Sequence, residues 1–150
     1  MTSDNMKPSD EAVELFSNGL FCSEAILQAY NRHYRLGLSE SALKMATVFG
    51  AGLGASKCCC GSLTGAALVL GAIKGRTNPE ESIEESFKLT AMLHDRFKEV
   101  FKSTCCRVLT RNLEWGAPEH HEYCKRFVKG AAEILEDILS ETENKLEKEN

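Results

Sequence analysis

The segment GSLTGAALVLGAIKG at residues 61–75 places the strongest constraint on how this chain folds. Its side chains are apolar around nearly the whole circumference of a helix, so other parts of the chain must surround it. Gly61, Gly65, Ala66 and Ala72 give it small surfaces where neighbouring helices can come close. Its uncharged run is too short to cross a bilayer. The pattern therefore predicts the central helix of a globular bundle.

Helical periodicity also dominates the segments on either side. Apolar residues recur at three- and four-residue intervals, and no stretch alternates apolar and polar residues as a half-buried strand does. We therefore predict an all-α, single-domain bundle of about five to seven helices over residues 1–150, with 1–8 and about 141–150 frayed. Asn78 as N-cap and Pro79 as first residue mark the start of the long fifth helix. The other predicted helices cover residues 10–19, 22–37, 39–50, 61–75, 106–112 and 118–140.

Charge and composition exclude several classes of function. The chain has 150 residues and a formal net charge of −4 at pH 7, and residues 133–150 hold seven acidic side chains against two lysines. The rest of the chain is nearly neutral and has no Lys/Arg stripe, so nucleic-acid binding is not expected. The first residues form no apolar segment, which predicts a cytoplasmic protein with no membrane association.

Seven cysteines, at positions 22, 58, 59, 60, 105, 106 and 124, are the outlying feature of the composition. Their number is odd, their density is below that of small disulfide scaffolds, and no secretion signal precedes them. The thiols are therefore expected to bind a metal, to catalyse, or to sense oxidants.

Cys22, Cys60 and Cys106 fall at predicted helix starts, and Cys124 falls in the first turns of the last helix. Unpaired backbone N–H groups and the helix dipole favour negative charge at such positions, which stabilises a thiolate. No Cys-x-x-Cys pair is present, so neither a zinc ribbon nor a thioredoxin-like motif is indicated. The thiols can meet only through the fold.

The run CGSLTGAALVLG, with Cys60, Gly61, Ser62 and Gly65, resembles the central motif of the C-GCAxxG-C-C family of small redox-active proteins. In that family pattern an early Cys and a Gly-rich segment precede the central Cys, and two further Cys follow it. Here FCSEAIL supplies the early Cys, FGAGLGAS the Gly-rich segment, and CCRVL and YCKRFV the later two. Ser62 stands where the family usually has Ala.

The resemblance implies that the thiols of Cys22, Cys60, Cys106 and Cys124 share one cofactor. The family looks like the non-haem domain of split-Soret cytochromes, which implies an iron-sulfur cluster, with [2Fe-2S] as the candidate type. The N–H groups of residues 61–63 would then hydrogen-bond to sulfur. An electron carrier of this kind needs a redox partner protein, and a homodimer would cover apolar surface around an exposed cluster.

Other uses of the same thiols stay open. Zinc also takes four thiolates in a tetrahedral site, so a structural zinc module is one alternative. A chain without any metal could pair its thiols reversibly as a thiol-disulfide oxidoreductase or redox sensor. Cys58, Cys59 and Cys105 are additional to the family pattern, and one of them could replace a chosen ligand.

Two further motifs have simpler interpretations. GAGLGA at residues 50–55 has the spacing of a dinucleotide fingerprint, but it follows a helical pattern rather than a strand, so we interpret it as a turn. His120 and His121 precede Cys124 by four and three residues. We expect both rings to face solvent, with a hydrogen bond to that thiol or a ligand role as the alternative.

Overall fold

The computed structural model describes residues 5–150, and within that range it contains helices and turns but no strand. The all-α prediction is therefore confirmed. No helix in the described part is both long enough and apolar enough to cross a membrane. The helices are α1 (Pro8–Ser17), α2 (Cys22–His33), α3 (Glu40–Lys44), α4 (Gly50–Leu53), α5 (Gly61–Lys74), α6 (Glu84–Phe101), α7 (Cys106–Leu109) and α8 (Pro118–Glu149), with a 3₁₀ turn at Thr47–Phe49.

Helix α5 is the central helix of the bundle, as its composition predicts. It packs against α2, α6 and α8. Leu63, Ala66, Val69 and Leu70 are buried along its length. Burial of each larger aliphatic side chain contributes about 1.5–3 kcal/mol. The most apolar helix of the chain is therefore at the centre of the bundle.

Helices α2 and α5 cross closely because Gly65 has no side chain. A Cβ atom at Gly65 would lie 2.8 Å from the Ser23 Cα and 2.9 Å from the Ser23 carbonyl oxygen. Ser23 is fully buried, and its hydroxyl donates a hydrogen bond of 2.7 Å to the Ala46 carbonyl oxygen. The crossing therefore fixes the start of α2, including Cys22, beside the first turns of α5.

Helix α8 lies across α1, α5 and α6 and closes the core. The Tyr30 hydroxyl of α2 donates a buried hydrogen bond of 2.6 Å to the Ala132 carbonyl oxygen of α8. This bond satisfies the one polar group of a side chain that is otherwise part of the core. The buried face of α8 consists of Phe127, Val128, Ala131, Ala132, Leu135, Ile138 and Leu139.

The predicted start of the long fifth helix is wrong. Helix α6 begins at Glu84, five residues after Pro79. The Asn78 side chain accepts a hydrogen bond of 3.0 Å from the Glu80 N–H, and the Arg76 guanidinium donates to the Pro79 carbonyl oxygen at 2.8 Å. These local bonds compete with the helix and hold the segment as a turn.

Other boundaries also differ from the periodic pattern. Helix α2 ends at His33 rather than near residue 37, and α7 ends at Leu109 rather than near residue 112. The predicted helix over residues 39–50 is divided into α3, the 3₁₀ turn and α4. Helix α8 continues to Glu149, through the segment expected to fray. Fraying of the two ends stays a prediction, and residues 1–4 lie outside the described range.

The Gly-rich segment after the 3₁₀ turn, which begins with the four-residue α4, contains left-handed residues and turns the chain tightly, as expected. Gly52 has a φ of +69°, and a Cβ atom there would lie 2.6 Å from the Cys58 backbone nitrogen. Only glycine adopts this left-handed conformation at so close an approach without strain. The turn directs the chain towards the start of α5.

Two loops meet beside the N-termini of α5 and α7. The Cys60 N–H donates a hydrogen bond of 2.7 Å to the Thr104 carbonyl oxygen, and the Arg107 N–H donates one of 3.1 Å to the Lys57 carbonyl oxygen. The pairing holds the first turn of α5 against the short helix α7, so two helix starts that carry cysteines become neighbours.

We expect Gly65→Ala to lower the free energy of unfolding by about 1–3 kcal/mol, because the added methyl group would press on the Ser23 backbone. Gly71→Ala is the matched control on the same helix, since nothing lies within 4 Å of a Cβ atom there. It should raise stability by about 0.5–1 kcal/mol, through helix propensity. Urea unfolding followed by far-UV circular dichroism measures both. Equal effects of the two substitutions would contradict the close crossing.

Candidate functional site

Four of the seven cysteines line one cavity with a volume of about 220 Å³, and these are Cys22, Cys60, Cys106 and Cys124. They come from the starts of α2, α5 and α7 and from the second turn of α8. The structure thus brings together thiols that are far apart in the sequence, in the combination that the sequence predicts. Their role as ligands stays a prediction.

The local sequence positions each helix start. The Glu24 carboxylate accepts a hydrogen bond of 3.0 Å from the Phe21 N–H, which closes the first turn of α2 directly before Cys22. Cys60 is the N-cap residue of α5, and its carbonyl oxygen accepts the N–H groups of Leu63 and Thr64 at 3.0 and 3.1 Å. The sulfur of Cys60 therefore lies beside the N–H groups of the first turn, including that of Ser62.

Cys60 is the thiol most readily ionised in this cavity. Hydrogen bonding from the neighbouring Cys106 thiol is the largest of the effects that lower the pKa of Cys60, to about 7. The backbone N–H groups of Ser62 and Leu63 lower it further, while burial opposes them. Near pH 7 the thiol and thiolate forms of Cys60 are therefore present in comparable amounts in the metal-free protein.

The other three thiols stay protonated around that thiolate. Burial, followed by the charge of Cys60, raises the pKa of both Cys22 and Cys124 to about 12. The pKa of Cys106 is also raised, first by its hydrogen bond to Cys60 and then by burial. Four thiolates could coexist here only with a positive charge among them, because mutual repulsion and burial both disfavour the anions.

Gly61 leaves the space that the Cys22 sulfur occupies. A Cβ atom at Gly61 would overlap the Cys22 Sγ and would lie 3.0 Å from the Phe49 carbonyl oxygen. Gly61 and Gly65 are four residues apart, so both face α2 on the same side of α5. The two glycines of the central motif therefore have a joint function, which is to admit the start of α2 and its thiol.

The wall of the cavity is mainly apolar. The apolar side chains of the lining include Phe16, Leu109, Trp115 and Phe127. The Ser62 hydroxyl also lines the cavity and is buried. Its hydrogen bonding is one of the effects that lower the pKa of Cys60, so this hydroxyl is directed at the Cys60 sulfur. No pattern in the sequence indicates Trp115 as part of the site.

His120 faces the site rather than solvent, in contrast to the expectation from sequence. Its Nδ1 accepts the Gly116 N–H at 3.3 Å, which assigns the proton to Nε2, and Nε2 lies 3.7 Å from the Cys124 Sγ. Burial, followed by the charges of His121 and Lys57, lowers the pKa of His120, which favours this neutral donor form. His121 is exposed, but it also lines the cavity, and it stacks on Phe16 with ring centroids 4.3 Å apart.

The three additional cysteines lie outside this cavity. Cys58 is exposed, while Cys59 and Cys105 are half-buried. The Cys105 thiol donates to the Lys57 carbonyl oxygen at 3.4 Å. Burial, and then the neighbouring thiols of Cys60, Cys58 and Cys105, raise the pKa of Cys59. Cys60 and Cys106 therefore face the cavity, whereas their sequence neighbours Cys59 and Cys105 do not.

The four thiols line the wall of the cavity and do not converge on one position where a single metal ion could bind all of them. Among residues 5–150, no three His, Cys, Asp or Glu side chains are gathered closely enough to hold one metal ion. The donor set is nevertheless one of soft thiolates, the ligands that iron-sulfur clusters and zinc prefer. The fold and the site together define a small all-helical protein with a central group of four thiols.

Comparison with known families identifies the chain. It belongs to the family described as "Putative redox-active protein (C_GCAxxG_C_C)", whose model matches residues 20–138. The matched range contains all seven cysteines. No curated protein and no solved structure matches the chain. The family resemblance drawn from the motif around Cys60 is therefore confirmed.

In the reduced, metal-free protein, Cys106→Ala should raise the pKa of Cys60 from its value of about 7 towards the ordinary value of about 8.5 or above. The reason is that the substitution removes the largest stabilising hydrogen bond to the thiolate. Thiolate ultraviolet absorbance measured against pH detects the change. Cys58→Ala removes an exposed thiol from the preceding loop and should leave the transition near neutral pH in place. A Cys106→Ala protein with that same transition would contradict the assigned cause.

Proposed function

We propose that this chain is an electron-transfer protein that holds an iron-sulfur cluster, with [2Fe-2S] as the preferred type, on Cys22, Cys60, Cys106 and Cys124. One observation carries the proposal: four thiols from four different helices line one mainly apolar cavity. Such a bound cluster supplies one-electron chemistry, whose potential depends on hydrogen bonds to sulfur and on solvent exposure. We further propose a redox partner protein as the source or acceptor of the electron.

The shape of the cavity favours a cluster over a single zinc ion. A zinc ion lies about 2.3 Å from each of its thiolate ligands. No three potential ligand side chains in the described range are gathered that tightly. A two-iron cluster distributes its four thiolates over two metal ions and bridging sulfides, so it suits thiols that surround a space.

The chain's own polar groups support an anionic, sulfur-rich occupant. The N–H groups of Ser62 and Leu63 and the Ser62 hydroxyl already stabilise the Cys60 thiolate. The His120 Nε2 proton lies on the side of Cys124. Phe16 and Trp115 line the same space. Each group would bind or shield charge on sulfur without further movement.

A second candidate function follows from one specific contact. The Cys106 thiol hydrogen-bonds to the Cys60 thiolate, whose pKa is about 7. An attacking thiol with a pKa near ambient pH is optimal for thiol-disulfide exchange. Cys60 and Cys106 could therefore serve as the attacking and resolving thiols of an oxidoreductase or redox sensor.

Cytoplasmic location and a homodimeric assembly remain predictions from the sequence.

Anaerobic purification separates these functions. We expect a brown protein containing iron and acid-labile sulfide, and Cys60→Ser should lose most of both, because Cys60 is the anionic ligand at the start of α5. Cys58→Ser is the matched control and should retain both. A colourless protein with stoichiometric zinc would overturn the proposal in favour of a zinc module. A metal-free protein with reversible Cys60–Cys106 pairing would overturn it in favour of the oxidoreductase.

We expect Gly61→Ala to reduce the iron and sulfide content several-fold, because its methyl group would displace the Cys22 sulfur from its present position. Gly71→Ala lies on the same helix away from the site, with open space around a Cβ atom, and should retain both. Metal analysis, combined with circular dichroism to verify folding, measures the effect. A folded Gly61→Ala protein with full cluster content would show that Cys22 is not a ligand.

A further inference from the structure

A second cavity, with a volume of about 470 Å³, lies among the end of α6, the segment after α7 and the first turns of α8. Leu109, Thr110 and Phe127 line both this cavity and the thiol cavity, so the two spaces are neighbours. Sites for small organic molecules typically have volumes of about 300–1,000 Å³. The second cavity therefore has the size of a ligand site, and the proposed electron transfer does not use it.

Three basic residues line the second cavity, and no acidic residue does. They are Lys102 directly after α6, Arg111 after α7, and Arg126 on α8. None of the ion pairs among residues 5–150 involves these three side chains. The chain as a whole has a net charge of −4, so three cations without a carboxylate are a local exception. Cations gathered in a cleft attract an anion.

The positive charge of Arg126 stays available at this cavity. The Arg126 guanidinium lies over the Tyr123 ring, with 4.9 Å between its Cζ atom and the ring centroid. A cation–π contact orients the guanidinium but does not neutralise its charge. Glu122, one turn earlier on α8, contacts the Lys125 Nζ at 2.7 Å instead. The contact with Tyr123 therefore places a cation beside an aromatic surface.

The rest of the lining suits the organic part of a ligand. The Phe127 ring packs edge-on against the rings of Phe101 and Tyr123, with centroid distances of 5.0 and 5.5 Å. Val100 and Val108 line the same cavity and are exposed, although both are large apolar side chains. Contact with an apolar group would remove this surface from water, which is favourable.

Lys102 occupies a backbone position that favours glycine. It is the C-cap residue of α6 and has a φ of +71°. The left-handed conformation costs a residue with a side chain roughly 1 kcal/mol or more, and glycine adopts it without that cost. A positive charge is therefore present at the cavity in place of the residue that would best end the helix.

We propose that the second cavity binds a small phosphorylated organic molecule. Lys102, Arg111 and Arg126 contact its phosphate group, and the aromatic wall contacts its organic part. A phosphate monoester carries about −1.5 to −2 charge at pH 7, which three cations balance better than they balance a single carboxylate. The planar guanidinium group also donates paired hydrogen bonds that match phosphate oxygens. The site uses none of the four thiols assigned to the cluster.

Isothermal titration calorimetry on the purified full-length protein tests this site with phenyl phosphate, inorganic phosphate, benzoate and benzyl alcohol. We expect one phenyl phosphate to bind per chain, about ten-fold or more tightly than each of the other three probes, because only this probe combines the phosphate charge with a ring. The proposal is overturned if phenyl phosphate does not bind at millimolar concentration, or if benzoate binds as tightly.

Three variants locate the binding site. Lys102→Gly and Arg111→Gln should each weaken phenyl phosphate binding about ten-fold, because each removes a charged hydrogen-bond donor. Lys102→Gly should at the same time maintain or raise the Tm, since glycine relieves the left-handed strain, so unfolding would not explain its loss of binding. Lys98→Gln is the matched control, because Lys98 lies on α6 and does not line the cavity. Equal weakening by Lys98→Gln would reveal a general charge effect and overturn the proposal.

Iron and sulfide are measured on the same samples, which separates this proposal from the proposed function. A protein without a cluster that binds phenyl phosphate would count against electron transfer and support the second site. A protein with a full cluster that does not bind phenyl phosphate would overturn the second site and leave electron transfer supported.

Discussion

The close approach of α2 to α5 is the constraint on which both the fold and the site depend. Gly61 and Gly65 lie one turn apart on α5, and a side chain at either position would collide with α2. At Gly65 the obstacle is the Ser23 backbone, and at Gly61 it is the Cys22 sulfur. One helix crossing therefore sets the packing of the bundle and the position of a site thiol. Stability and function are not separable at these two glycines.

The environment divides the seven cysteines into two groups with different chemistry. Cys22, Cys60, Cys106 and Cys124 line an apolar cavity, where one thiolate is stabilised by hydrogen bonds and the other thiols stay neutral. The remaining three lie at the surface or half-buried near Lys57 and Arg107. Two adjacent residues, Cys59 and Cys60, consequently belong to different groups. The N-terminus of α5 marks the boundary between them.

Much of this arrangement could be predicted from the sequence. The small apolar residues of 61–75 indicate a central helix, and the Cys60 motif selects the four thiols that the structure gathers in one cavity. The start of α6 was not predictable from its capping pattern, because Asn78 bonds locally and forms a turn instead. The roles of Trp115 and His120 depend on how α8 packs, which no local pattern specifies. The contact between the loop before α5 and the segment around the start of α7 depends on backbone bonds that form only in the tertiary structure.

The uneven ionisation of the four cavity thiols has a thermodynamic consequence for their occupancy. Near neutral pH only Cys60 is close to its pKa, and its three neighbours hold their protons. Coordination by all four sulfurs requires those protons to leave, so occupancy is linked to proton release. Acidification therefore opposes loading of the cavity by mass action, in proportion to the number of protons displaced. The pKa values of the four thiols in the metal-free protein would therefore set the pH range in which the cavity can bind a metal cluster.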